Sequence, residues 1–242
     1  MSSDNHDARA GGEGPSTLDG QVVKPFALSK HLRGANSLPT ELTEANQRDR
    51  LIAGALHVLA ERGYRATSVE AICTAASIPQ ATFYAHFADA EACVLAAYDL
   101  TVAWLSKEVL GTVDLAEDWP HQVRHAVTRT LELLEADNRL ARLLTIDVFY
   151  AGVRAEVRNR ALVDRLSLLL GVGRGEHGSG AELPLHLEPT LVGGAFSLVA
   201  RQLGGGEGNK LRELAPELTQ YLLAPYLGVE AARALAAERT DR

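Results

Sequence analysis

Aromatic residues are scarce in this 242-residue sequence, at 5% of the chain, and its richness in Ala, Leu and Arg favours helix over sheet. There are two cysteines, Cys73 and Cys93. Both fall at apolar helical positions and read as buried small hydrophobes in a reducing cytosol rather than as a disulfide. No stretch of about 18 uninterrupted apolar residues occurs, so no membrane span is expected. The N-terminus MSSDNHDARAGGEGPS has no basic segment leading into an apolar one and is not a secretory signal. The expected location is therefore the cytoplasm. A P-loop, a GxGxxG in a strand–helix context and a nucleophile elbow are all missing, and no titratable pair stands at a catalytic spacing, so an enzyme is not expected. Positive charge is also lacking. The net charge of −7 speaks to solubility and steering, and leaves open what a single face can bind.

What remains is a succession of helical patterns, with no strand-like alternation and no internal repeat. Residues 1–37 are polar and rich in Gly, Ser and Asp, the composition of a disordered extension. Lys24, Lys30, His31 and Arg33 give this segment two readings, a basic arm for DNA or a solvated tail. A first helix is expected from the Leu38-Pro39 start to about Arg62, with Ile52, Ala55, Leu56, Leu59 and Ala60 on one face and Gly63 as its stop.

The stretch Thr67–Phe87, TSVEAICTAASIPQATFYAHF, is the most telling. Thr67-Ser68-Val69-Glu70 fits a capping box in which the Thr67 hydroxyl takes a free backbone N–H. Val69, Ile72, Cys73 and Ala76 form one apolar face, with Cys73 expected where two helices cross. Ala76-Ser77-Ile78 makes a turn and Pro79 opens a third helix. Phe83 and Phe87 point inward, leaving Gln80, Ala81, Thr82, Tyr84 and His86 on other faces. Two short helices around a tight turn, the second with polar side chains left outside, are how a protein offers a helix to the major groove. Arg50 and Arg65 are cations of the same region and join the candidate DNA-binding set.

From about Gln47 to Val94 the chain resembles the TetR family of transcriptional regulators, through Gly63-Tyr64, Thr67-Ser68-Val69, Thr82-Phe83-Tyr84-Ala85-His86-Phe87 and the following Asp89 and Glu91. The resemblance implies an all-α fold: a helix-turn-helix DNA-binding domain over residues 38–88 and a helical ligand-binding and dimerisation domain over 89–242. It implies that Thr67, Tyr84 and His86 hold phosphates while Gln80, Ala81 and Thr82 face base edges, roles that suit their chemistry. Three departures stand out. Ser77 replaces a glycine common in the turn, which predicts a strained or differently shaped backbone. Pro79 stands where a serine usually caps helix three, and Ser77 with Gln80 offers a replacement capping box. Ala90 replaces a phosphate-binding lysine.

Asp89 is expected to cap a long fourth helix, Ala90 to about Leu110. Further helices are expected near 118–136, 138–144, 145–170, 188–203, 210–226 and 229–239, with a flexible loop from Gly171 to Pro184. The resemblance suggests that large side chains line a ligand cavity, here Trp104, Phe149, Tyr150 and Phe196, with Asp147 and Arg154 as polar anchors. It also suggests a four-helix dimer interface using Leu191, Ala195, Leu198, Leu214, Leu218 and Tyr221, with Gly193-Gly194 allowing close approach. The alternative for these residues is a buried intrachain pair. His121 and His125, four apart, allow a metal pair whose third ligand would come from Asp147, His177 or His186. Exposed helical histidines are commoner, and no metal or other cofactor is expected. The expected partners are thus a palindromic double-stranded operator, a small-molecule effector and a second copy of the chain, with no membrane. The rival is a helical ligand- or metal-binding protein with a non-functional helix-turn-helix.

Overall fold

The computed structural model describes residues 17–18, 21–22, 39–176, 183–206 and 208–238. The expected basic arm (Lys24, Lys30, His31, Arg33) and His177 lie outside the described residues. Thr17–Leu18 (β1) and Gln21–Val22 (β2) pair antiparallel, and every other regular element among the described residues is helical. No helix among the described residues is long and apolar enough to cross a membrane.

α1 runs Pro39–Arg62 and buries Leu51, Ile52, Ala55, Leu56, Val58 and Leu59, a stripe at helical spacing. Gly63, at φ 74°, turns the chain out of it. A 3₁₀ turn, Tyr64–Ala66, leads to α2, Val69–Ala76. The cap of α2 is Ser68, whose hydroxyl accepts the Ala71 N–H at 3.1 Å. This corrects the expected capping box. The Thr67 hydroxyl is turned back and donates to the Gly63 carbonyl at 3.1 Å, because the 3₁₀ turn brings that carbonyl within reach.

α3 is short, Gln80–His86. Pro79 stands at its N-cap with no side-chain cap bond, so the Ser77–Gln80 capping box does not form. Ser77 is left-handed, as its replacement of glycine predicted, with φ 53° and ψ 47°. α4, Ala90–Leu110, begins where Asp89 Oδ1 accepts the Ala92 N–H at 2.6 Å. It buries residues around most of its circumference, Cys93 to Val109, and is the shared wall of the molecule.

α5 (Trp119–Ala136) and α6 (Asn138–Thr145) are capped by Asp118 and Asp137. The single helix expected over 145–170 is broken. A 3₁₀ turn, Asp147–Tyr150, and Gly152 at φ 81° precede α7, Val153–Gly171. Gly173–Glu176 adds a helical turn inside the expected loop. α8 (Leu187–Gly204), a 3₁₀ segment (Gly208–Leu214), α9 (Ala215–Leu227) and α10 (Val229–Ala237) complete the order.

One core runs without interruption from α1 through α4 and α6 to α9, so burial on the two sides of residue 88 is shared. A second cluster, Trp119, Leu170, Leu191, Leu222, Leu223, Tyr226, Ala232 and Leu235, joins the ends of α5 and α7 to the last three helices. Beside it Glu188, buried, accepts from Arg174 Nε and Nη2 at 2.6 and 2.8 Å and from the Tyr226 hydroxyl at 2.8 Å. Arg174 also holds the Leu183 and Pro184 carbonyls, which pins the far shoulder of the expected loop to its start.

Candidate nucleic-acid interface and ligand region

α3 is fixed from below by Phe83, fully buried, and Phe87, 7% exposed, their rings 5.7 Å apart. Arg48 of α1 lies over the Phe87 ring at 5.3 Å. With those two rings as its floor, α3 turns Gln80, Ala81 and Tyr84 outward. Tyr84 is 58% exposed, its ring edge-on to Phe83. An exposed phenol and an exposed amide on a seven-residue helix can donate to phosphate oxygens and pair with base edges. Thr82 is half-buried.

Of the remaining expected DNA contacts, Arg50 and Arg65 are exposed while His86 and Thr67 are not. His86 is half-buried, its Nε2 3.3 Å from Oε1 of Gln47 on α1, a pairing that sequence patterns do not reveal because 39 residues separate the two. Thr67 is nearly buried and its hydroxyl faces Gly63. Arg65 is exposed. Arg50 reaches from α1 into the turn, its Nη2 donating to the Ala76 carbonyl at 2.7 Å and to the Ser77 carbonyl at 3.0 Å. Gly54 is a second residue that the helical pattern does not single out. A Cβ there would sit 2.9 Å from the Ile72 carbonyl oxygen and 3.2 Å from the Ala76 Cβ, so α1 and α2 touch at Gly54. Cys73 and Cys93 are free and buried, and burial pushes the Cys93 thiol up to about 12.

The six expected ligand-cavity residues differ widely in burial. Phe149 and Tyr150, 64% and 61% exposed, face solvent because the 3₁₀ turn replaces the expected helix and points them off the core. Arg154 pairs with Glu91 of α4 at 3.6 Å. Trp104 and Phe196 are half-buried, Trp104 against the main core. Asp147 is 2% exposed and lies 3.3 Å from Arg142 Nε. Desolvation by burial raises its carboxyl to about 6, against the opposing pull of Arg142.

The expected dimer residues are also drawn inward. Leu191 and Leu218 are buried in their own chain's cores, and Ala195, Leu198 and Leu214 pack against them. Within the chain α8 packs on α6 and α7, and α9 on α5. Tyr221 lies over Gly194, where a Cβ would meet its hydroxyl. Outside, Leu191, Glu217, Gln220, Tyr221, Ala224, Pro225 and Val229 line an open, mainly apolar groove. Gly193 faces open space.

His121 and His125 do not act as a pair. His121 is held between Asp118 and Glu238, which raise its imidazole, while His125 Nε2 lies 3.0 Å from the Thr112 hydroxyl. Among the described residues no three His, Cys, Asp or Glu form a cluster able to hold a metal.

Residues 51–97 match the model of the bacterial regulatory proteins of the tetR family. No curated protein matches the chain. Among solved structures, the fatty acid degradation regulator FadR from Bacillus halodurans aligns over 78% of this chain and 97% of its own, at 21% identity and a TM-score of 0.65. FadR from Bacillus subtilis, solved in complex with stearoyl-CoA, aligns over 74% and 97% at 16% identity and TM-score 0.62. SmeT, the repressor of the Stenotrophomonas maltophilia multidrug efflux pump SmeDEF, aligns over 75% and 92% at 17% identity and TM-score 0.58. The helix-turn-helix unit thus matches that of the bacterial regulatory proteins of the tetR family, and the helices of the chain follow the fold of these solved regulators.

Proposed function

We propose that this chain is a homodimeric, sequence-specific transcriptional regulator of the cytoplasm, a repressor that leaves its operator when a small molecule binds. The observation that carries the reading is the outward face of α3, where Gln80, Ala81 and Tyr84 stand clear of a helix clamped by two buried phenylalanines. A fold that needed this helix only for packing gains nothing by exposing a tyrosine there. One short helix reads few base pairs, so two copies on a palindrome, with half-sites about 34–36 Å apart, supply the selectivity. The outer face of α8 and α9, with its groove and the open Gly193, is the surface proposed for pairing.

Release is a coupling free energy: the effector binds better to the form whose two α3 helices are misplaced for the groove. α4 is the lever, because its buried residues belong to the same core as those of α1, α3 and α6. Long-chain acyl-CoA thioesters are the first effectors to test, since one structural neighbour binds stearoyl-CoA.

The test is fluorescence anisotropy of purified protein on duplexes from its own upstream region and on shuffled duplexes, at fixed salt. The expected result is a preference of about 10³ or more for one palindromic segment, lowered by the effector. Tyr84→Phe weakens binding to all duplexes alike, and Gln80→Ala changes the preferred base at one position. Equal affinity for upstream and shuffled DNA rejects the reading.

A further inference from the structure

We propose that Arg50 is a positioning residue for the recognition helix, acting on DNA through the turn it holds and not through a phosphate. The proposal rests on the DNA-binding reading above.

Four observations carry it. Ser77 is the one non-glycine residue at positive φ among the described residues, a conformation that crowds its Cβ against backbone. The Ala76 carbonyl belongs to the last turn of α2, where no further helical N–H is available. Arg50 Nη2 has two hydrogens and sends one to this carbonyl and one to that of Ser77, at 2.7 and 3.0 Å. Its cation also stands at the negative end of α2. Finally, Arg50 is rooted beside Leu51 and Ile52, both buried, so the turn is tied to the most firmly packed helix of the unit.

The consequence is geometric. α3 has seven residues and two buried anchors, Phe83 and Phe87. Two anchors define a line, and a helix held on a line can still rock about it. Rocking would carry Gln80, Ala81 and Tyr84 across the groove. The turn is the third point that stops this: Ile78 anchors its side chain in the core, and Arg50 holds its backbone carbonyls from 26 and 27 residues away. Ser77 resists the left-handed conformation it adopts, and the guanidinium offsets that resistance.

The experiment compares wild type, Arg50→Ala, Ser77→Gly and the double variant of the full chain. Affinity for the preferred duplex is measured over a range of salt, thermal unfolding reports on the fold, and amide hydrogen exchange is read at Ile78. In the wild type the Ile78 N–H donates to the Cys73 carbonyl at 3.0 Å. Arg50→Ala is expected to lower affinity at least tenfold with little change in the salt slope and to speed exchange at Ile78. Adding Ser77→Gly to it is expected to restore most of both losses, since glycine adopts the turn unaided. A phosphate-binding Arg50 predicts otherwise: its removal flattens the salt slope by about 0.9, and glycine rescues nothing. Either of those results, or unchanged affinity in Arg50→Ala, overturns the proposal. If wild type itself prefers no duplex, the function fails, and unchanged Ile78 exchange in Arg50→Ala still rejects the clasp.

Discussion

Asp147→Asn should stabilise this protein at neutral pH. Asp147 is 2% exposed in the 3₁₀ turn between α6 and α7. The cation beside it is Arg142, with Nε 3.3 Å from Oδ2, in a geometry that makes an ion pair without an aligned hydrogen bond. Arg142 is itself 38% exposed, so water weakens the attraction. Burial therefore outweighs the pairing, and the carboxyl rises from 3.8 to about 6. The folded protein holds its proton up to about pH 6, while the unfolded chain has lost it by about pH 5. Hence the folded state binds more protons between about pH 4 and pH 6, and stability falls as pH rises through that window.

A displacement of about two pKa units, at 1.36 kcal/mol each, is about 3 kcal/mol. Asparagine imitates the protonated acid and removes the loss. Urea melts followed by helical circular dichroism at pH 4.5, 5.5, 6.5 and 7.5 read the difference between variant and wild type, in which other titrations cancel. The expected difference is small at pH 4.5 and grows to about 3 kcal/mol in favour of the variant at pH 7.5. A variant less stable than wild type at pH 7.5, or a difference flat across the range, would show that the Arg142 pairing outweighs burial and refute the reasoning.

Gly54→Ala should destabilise the helix-turn-helix unit by roughly 1–3 kcal/mol and weaken DNA binding, because its methyl meets the Ile72 carbonyl and Ala76; thermal melts and anisotropy check both. Gly193 and Gly194 should differ sharply. Gly193→Arg, in open space, should leave the monomer's melting unchanged yet abolish the dimer in size-exclusion chromatography, whereas Gly194→Ala should lower the melting temperature by colliding with Tyr221. The His121 imidazole is raised chiefly by its Asp118 hydrogen bond, with Glu238 contributing. Its tie to the end of α10 is fully present below the unfolded value of about 6.5 and is lost as pH rises through the higher folded value. Amide exchange in α10 should therefore quicken with pH above that of the intrinsic rate, and His121→Ala should remove the excess.

Much of the helical order was legible because its signals are local. The Asp89 cap, the stop at Gly63, the Pro39 start and the inward Phe83 and Phe87 rest on spacing and on neighbours within a turn or two, and all appear where the pattern put them. The 145–170 stretch misled because its apolar residues keep helical spacing across Gly152, whose positive φ no periodicity reveals. The outward placement of Gln80, Ala81 and Tyr84 was legible. His86 is half-buried and Arg50 exposed, and each has a protein partner far off in sequence that local patterns do not reveal.

The sequence by itself determined that this is a helical chain carrying a helix-turn-helix with a serine-strained turn, since caps, periodicity and backbone preference act within a few residues. Only the tertiary structure decided which groups are free to meet DNA, ligand or partner. Leu191 and Leu218 have the same apolar character whether they face a second copy or their own core, and Arg50 the same charge whether it meets a phosphate or two carbonyls. That choice depends on which surfaces the packing of α1 through α10 has already covered.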